Sequence, residues 1–152
     1  MRILVIGATG LLGKEIVGLL SADHDVIGAS RKGSAIAVDI SDKKSIVAMY
    51  RQAAPLDAVV CVAGIARFVP LDTLADGDFA FSIANKLMGQ VNLVRCGVAN
   101  VTRGGSSTLT SALVDSNPRG SRAGNNRRAL NYRHFIKGLE RNCLDADVSA
   151  QA

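Results

Sequence analysis

The stretch "VIGATGLLGKEI", residues 5–16, decides how the rest of the chain is read. It grows out of an apolar, β-branched run, RILVI over residues 2–6, which predicts a strand buried on both faces. The strand stops at Gly7. From Leu11 the apolar period becomes helical, with Leu12, Ile16 and Leu19/Leu20 in step, and it ends near Ser21. Gly7, Gly10 and Gly13 therefore punctuate a strand–turn–helix in a G-x-x-G-x-x-G pattern. Gly7 permits the tight turn off the strand. Gly10 lets backbone approach a ligand with no Cβ in the way, and Gly13 lets the helix sit close to the sheet.

A helix starting at such a turn aims its free N–H groups, and about half a positive charge, at whatever lies in front of it. With a second strand at the expected distance, this context makes the glycines a pyrophosphate cradle of the dinucleotide-binding kind. Further strands and helices alternate along the chain. Short strands are predicted at Asp25–Ala29 and around Ala35–Val38. A helix follows Ser41, its N-cap, with Asp42 at the positive end of the dipole and Ile46, Met49/Tyr50 and Ala53 facing inward until Pro55. "LDAVVCVAG" (56–64) is another buried strand ending in glycine. A long helix is predicted from about Asp78 to Val98, with Ile83, Leu87, Val91, Val94 and Val98 on one stripe. Gly104-Gly105 turns into "SSTLTSALV", the last strand. The alternation predicts an α/β fold: a doubly wound, Rossmann-type parallel sheet.

Composition sets limits on function. The chain has 152 residues, 48% hydrophobic and 20% charged, which suits one globular domain. No apolar run approaches the roughly 18 residues of a membrane span, and Ile3–Ile6 is too short for a signal-peptide core. The expectation is a cytoplasmic protein without a membrane partner. Cys61, Cys96 and Cys143 show no CxxC spacing, and Cys61 and Cys96 read as small buried hydrophobes in a reducing compartment. With only His24 and His134 besides, no metal site is expected. The net charge of +5 is uneven. Residues 1–115 carry 11 Lys/Arg against 10 Asp/Glu, whereas 116–152 carry 7 against 3. The basic character belongs to the tail, so it gives no sign that the preceding domain binds nucleic acid.

The end of the second strand decides which dinucleotide fits. An acid there would bond a ribose 2′-hydroxyl and repel a 2′-phosphate. "GASRKG" offers Ser30, Arg31 and Lys32 instead, and a hydroxyl beside a guanidinium suits a phosphate dianion. NADP is expected ahead of NAD.

GATGLLG (7–13), "VDI" (38–40), "VAG" (62–64), Asn85 and "LTS" (109–111) occur in an order that resembles the short-chain dehydrogenase/reductase family, in its short, divergent bacterial form. The resemblance covers residues 1 to about 114. It implies that Gly7, Thr9, Gly10, Leu11, Leu12 and Gly13 hold the cofactor, with Ser30 and Arg31 at its 2′-phosphate. Asp39 and Ile40 would border the adenine, and Ala63, Gly64 and Ile65 would line the ribose side. Asn85 would hold a helix kink and a water of a proton relay. Ser111 would bond a substrate carbonyl.

Three departures accompany the resemblance. The family's Tyr-x-x-x-Lys pair belongs about a dozen residues beyond the serine, yet "RAGNNRRAL" (122–130) contains neither residue. Tyr132 and Lys137 stand five apart, about 500° around a helix rather than the 400° or so of an i,i+4 pair, and so do not share a face. "VAG" stands where most members have Asn-Ala-Gly. Nothing after residue 114 supplies the two further strands and the helix that complete the family's sheet, so the sheet is expected to be incomplete at its C-terminal end.

The pattern fails at "DSNPRGSRAGNNRR" (115–128), whose only nonpolar side chains are one Pro and one Ala. The expected organisation is a nucleotide-binding domain over 1–114 and a basic tail over 115–152. The tail reads as disordered, or as a short helix using Leu130, Phe135/Ile136 and Leu139. Out-of-frame translation after codon 114 would account for the abrupt change, and the coding DNA decides it. The competing reading is a native basic extension that binds RNA, membrane or an acidic partner. The outer side of Ser106–Val114 has no partner in sequence, which predicts homo-oligomerisation through that edge, aggregation, or cover by the tail. The leading functional expectation is an NADP(H)-dependent oxidoreductase acting on a carbonyl or alcohol. Its alternative is a non-catalytic dinucleotide-binding protein, either a redox sensor or an inactive remnant.

Overall fold

The protein is described from a computed structural model, which covers residues 1–67, 69 and 72–111. Met1–Thr110 form one compact unit, and the chain divides from it at Ser111, where a second unit begins. The predicted boundary at 114/115, the short tail helix using Leu130, Phe135/Ile136 and Leu139, and the Tyr132/Lys137 spacing all lie outside the described residues.

The first unit alternates as the sequence predicts. Its strands are β1 (Arg2–Ile6), β2 (Asp25–Ser30), β3 (Ile36–Ala37), β4 (Leu56–Cys61) and β5 (Val101–Leu109). They form one parallel sheet in the order β3-β2-β1-β4-β5. Helix α1 (Leu11–Leu20) joins β1 to β2, and α2 (Lys43–Ala53) joins β3 to β4. Between β4 and β5 run α3 (Asp76–Ser82), a π-helical turn (Ile83–Met88) and α4 (Gly89–Gly97). This is a Rossmann-type α/β fold. The order reverses at β1, where the connection to β2 leaves in one direction and the strand from α2 returns in the other.

Strand alternation sends alternate side chains to the two faces, and the apolar contacts divide accordingly. On one face Leu4, Ile6, Val59 and Cys61 pack with Ile46, Met49, Tyr50 and Ala53 of α2 and Leu93 of α4. On the other, Ile3, Val5 and Ala58 pack with Ile16, Val17 and Leu20 of α1. The predicted inward face of α2 is therefore the observed one. Its cap is not: the Asp42 carboxylate accepts from the Lys44 amide at 2.9 Å, making Asp42 the N-cap. Ser41 instead donates its hydroxyl to Asp39 at 2.7 Å. On α1, Ile16 and Leu20 of the helically spaced set pack inward, whereas Leu12 and Leu19 are exposed, because Gly13 is the residue pressed to the sheet.

Two other expectations shift. The long helix begins at Asp76, and its buried residues are Gly89, Gln90, Leu93 and Gly97, while Val98 is exposed. A π-turn inserts one residue into the helical count and rotates the following face by about 100°. A stripe counted at constant period from Ile83 therefore drifts off the core. Gly104-Gly105 lies inside β5 and not ahead of it. Pairing steps from Leu56↔Val101 to Ala58↔Ser106, so extra β5 residues bulge out between those two pairs, with Gly104 at φ +82°. A Cβ on Gly105 would stand 2.6 Å from the Asp57 carbonyl.

Two close approaches hold the layers together. A Cβ on Gly13 would lie 2.0 Å from the Gly7 carbonyl oxygen, so α1 reaches β1 only because position 13 has no side chain. On the opposite face, the buried Tyr50 hydroxyl donates to the Leu93 carbonyl at 2.9 Å, and a Cβ on Gly97 would meet that hydroxyl at 2.7 Å. Burial holds the Tyr50 phenol far above the usual tyrosine range, so it stays a donor. We expect Gly13→Ala to lower unfolding free energy by on the order of 3 kcal/mol in urea melts, since backbone must move to admit the methyl. Tyr50→Phe keeps the ring and loses one buried hydrogen bond, and should cost about 1 kcal/mol in the same assay.

Candidate dinucleotide-binding cleft

At the carboxyl ends of β1, β2 and β4 lies a cleft of roughly 660 Å³. Its floor is the turn after β1. The Gly7 and Ala8 amides both donate to the Ala29 carbonyl, at 2.7 and 3.2 Å, which ties the turn to the end of β2. Gly7 sits at φ +92°, and a Cβ there would press on the Ala63 nitrogen at 3.0 Å. Glycine is thus required both by conformation and by the approach of the segment after β4. Gly10 is the N-cap of α1 and offers no side chain to satisfy the first-turn amides. Its backbone is extended at φ −74°, and a Cβ would meet only the Gly7 carbonyl, at 3.3 Å. The protein alone barely demands glycine at position 10, whereas a group seated on the open amides would demand it.

The second wall is the turn after β2. Arg31 and Lys32 line the cleft and are exposed. Ser30 is buried, with its hydroxyl donating to the Lys32 carbonyl at 2.6 Å and lying 2.8 Å from the Ser34 hydroxyl. The Ser30 proton is therefore committed to shaping the turn, and the guanidinium and ammonium are the cationic donors at this rim. Gly33, at φ +75°, closes the turn with Thr9 of the glycine loop close by. Asp39 and Ile40, after β3, complete this side. The Asp39 carboxylate is held below its usual range, first by the Ser41 hydroxyl, then by the Ser41 amide, with Arg31 adding attraction.

The third wall is Val62, Ala63, Gly64 and Ile65, beyond β4. The Val62 amide donates to the Ile6 carbonyl at 2.9 Å and continues the β1–β4 pairing into the loop. Farther along, Arg67 anchors this loop to α3: its amide donates to the Ser82 hydroxyl, its guanidinium pairs with Asp78 at 3.1 Å, and it stacks on Phe81. Asn85, on the π-turn, also lines the cleft.

The cleft thus gathers Gly7, Thr9, Gly10, Ser30, Arg31, Asp39, Ile40, Ala63, Gly64, Ile65 and Asn85 from the sequence reading. Leu11 and Leu12 stand exposed at the start of α1 outside its lining, and Gly13 is buried behind the turn. Ser111 follows Thr110 and opens the second unit. Thr110 itself is clamped: its amide and hydroxyl both donate to the Cys61 carbonyl, and its carbonyl accepts from Gln90. Sequence reasoning missed Ser34 and the apolar Ile6, Val38 and Val62. Ser34 carries no motif, and Val38 is recognisable only as the residue before "DI". Among the described residues no group of three or more His, Cys, Asp or Glu could hold a metal, and no helix is long and apolar enough to cross a membrane.

Comparison with known proteins places this architecture. No curated protein matches the chain. Among solved structures, the protein lin1944 from Listeria innocua is 41% identical, with a TM-score of 0.72 over 74% of this chain and 56% of its own length. A small-chain dehydrogenase in complex with NADPH is 28% identical, with a TM-score of 0.66 over 72% of this chain and 50% of its own. A further small-chain dehydrogenase is 27% identical, with a TM-score of 0.66 over 73% and 59%. The chain therefore spans only a little over half the length of the structures it resembles. The NAD dependent epimerase/dehydratase family matches over residues 3–126. With the glycine turn, the reversal of strand order and the cleft at that reversal, the chain belongs to the NAD dependent epimerase/dehydratase family, of the short-chain dehydrogenase/reductase type.

Proposed function

We propose that the cleft binds NADP(H) and that the protein is an oxidoreductase of the short-chain dehydrogenase/reductase type acting on a carbonyl or alcohol. The observation that carries the reading is the pairing of an uncapped helix N-terminus at Gly10 with two cationic side chains, Arg31 and Lys32, on the facing rim. The first would take a pyrophosphate and the second a 2′-phosphate. The small-chain dehydrogenase complexed with NADPH supports the cofactor class by analogy. Bound NADPH would supply a hydride for a carbonyl carbon.

The residues of the chain divide the remaining work. The amides of the α1 first turn would hold the pyrophosphate without a counter-charge of their own. Asp39, kept ionised by Ser41, would face the adenine side. Asn85 would hold a water, and Ser111 would orient a carbonyl by donating its hydroxyl proton. Cytoplasmic residence fits the free thiols of Cys61 and Cys96. A non-catalytic dinucleotide-binding protein is the second reading, favoured by "RAGNNRRAL" (122–130), which lacks the family's tyrosine and lysine. A missing general acid would cost roughly 10²–10⁴ in rate.

Calorimetric titration with NADPH and NADH tests the cofactor reading, since the chain has no tryptophan to report binding. Wild type should bind NADPH more tightly than NADH. Arg31→Ala should weaken NADPH roughly tenfold, about 1.4 kcal/mol, and leave NADH nearly unchanged. Gly10→Val should abolish binding of both while melting close to wild type. Equal affinity for the two cofactors in wild type would refute the NADP assignment. Turnover of any carbonyl with NADPH would then separate the enzyme from the binding protein.

A further inference from the structure

Lys86 is a cation with no part in the cofactor contacts assigned above. It sits on the π-turn one residue after Asn85, and its ammonium donates to the Ala63 carbonyl at 3.1 Å. Its stem passes so close to Gly64 that a Cβ there would stand 2.5 Å from Lys86 Cδ. Gly64 lies at φ +117°, a conformation that side chains rarely adopt. The Cys61 thiol donates to the same Ala63 carbonyl at 3.8 Å. One backbone carbonyl thus receives an ammonium and a thiol, and the peptide beyond it is glycine where the lysine crosses. Ala63, Gly64 and Ile65 line the cleft, whereas Lys86 itself does not.

The π-turn accounts for this delivery. In a regular helix consecutive residues diverge by about 100°, and an added residue resets the phase of the helix beyond it relative to the turns before it. Here Asn85 faces the cleft and Lys86 reaches the segment after β4. Four residues later Gly89 and Gln90 already face the core. Partial burial draws the lysine below its ordinary range, with Cys61 opposing that shift.

We propose that Lys86 is a positioning residue, a cationic strut that sets the Ala63–Ile65 wall of the cleft and through it the affinity for the dinucleotide. The inference rests on the reading of the cleft as a dinucleotide site. The strut acts by contact with the wall, so its stem and its charge are separable. Lys86→Met keeps the stem and removes the charge. Lys86→Arg keeps the charge. Lys86→Ala removes the atom that a methyl at position 64 would strike.

The test is a double-mutant cycle of Gly64→Ala and Lys86→Ala in the full chain, read both as the NADPH dissociation constant by calorimetry and as the urea midpoint of unfolding. Lys86→Met should weaken NADPH binding roughly tenfold in protein that still melts cooperatively, and Lys86→Arg should recover most of it. Gly64→Ala should weaken binding less in the Lys86→Ala background than in wild type, a non-additivity of at least about threefold. A lysine that merely stabilised the fold would shift the midpoint and leave the dissociation constant of folded protein unchanged. That result, or strict additivity of the cycle, would overturn the proposal. Should Lys86→Met fail to fold, Lys86→Arg and the cycle carry the same comparison. Wild type that melts normally but binds neither NADPH nor NADH would sink the dinucleotide reading instead. Coupling in the urea midpoint would then still identify Lys86 as the strut of the wall, and additivity there would overturn that as well.

Discussion

The approach of α1 to β1 is the constraint on which the rest of the unit depends. A Cβ at Gly13 would fall 2.0 Å from the Gly7 carbonyl, inside any permissible contact. With hydrogen in its place, the helix can start directly above the strand end and point its open amides into the space between β1, β2 and β4. The Gly7 amide can then reach the Ala29 carbonyl, which pulls the end of β2 against the turn. Gly7 is in turn crowded by Val62 and Ala63, so the segment after β4 is fixed against the same turn. The three walls of the cleft thus refer back to one glycine contact.

The two faces of the sheet are unequally furnished. Helices α2 and α4 bury a continuous cluster, with Tyr50 and Leu93 joined by a hydrogen bond at its centre. The α1 face is smaller, and at β5 it turns polar. Ser106 and Thr108, paired with Ala58 and Val60, lie on that face and are exposed. Apolar residues on β5 are confined to the other side, where Leu109 packs against the larger cluster. The large cluster holds the sheet together, while the α1 side positions the glycine turn.

Much of this was legible in the chain because it is encoded locally. A β-branched run stopping at glycine, a switch to helical period at Leu11 and the inward set Ile46, Met49, Tyr50 and Ala53 are patterns of neighbours. They survive any arrangement of the elements. Legibility failed where a local count had two solutions. Ser41 and Asp42 are both good caps, and the choice was made by Asp39, whose carboxylate takes the Ser41 hydroxyl. The stripe Ile83–Val98 assumed one period throughout, and the π-turn broke it. Gly104-Gly105 could begin a strand or bulge within one, and the register shift between Leu56 and Ala58 on β4 settled it.

By itself the sequence determined the alternation of strands and helices, the turn punctuated by glycine at 7, 10 and 13, and the cationic pair after β2. Each follows from propensity, period or steric need within about twenty residues. Only the tertiary structure decided that the Ser30 hydroxyl is spent on Lys32 and Ser34, that Gly97 makes room for Tyr50, and that Lys86 braces the peptide at Ala63. The last two join residues 47 and 23 positions apart in sequence. No periodicity records such pairs, because they exist only once packing has brought α4 against α2 and the π-turn against the end of β4.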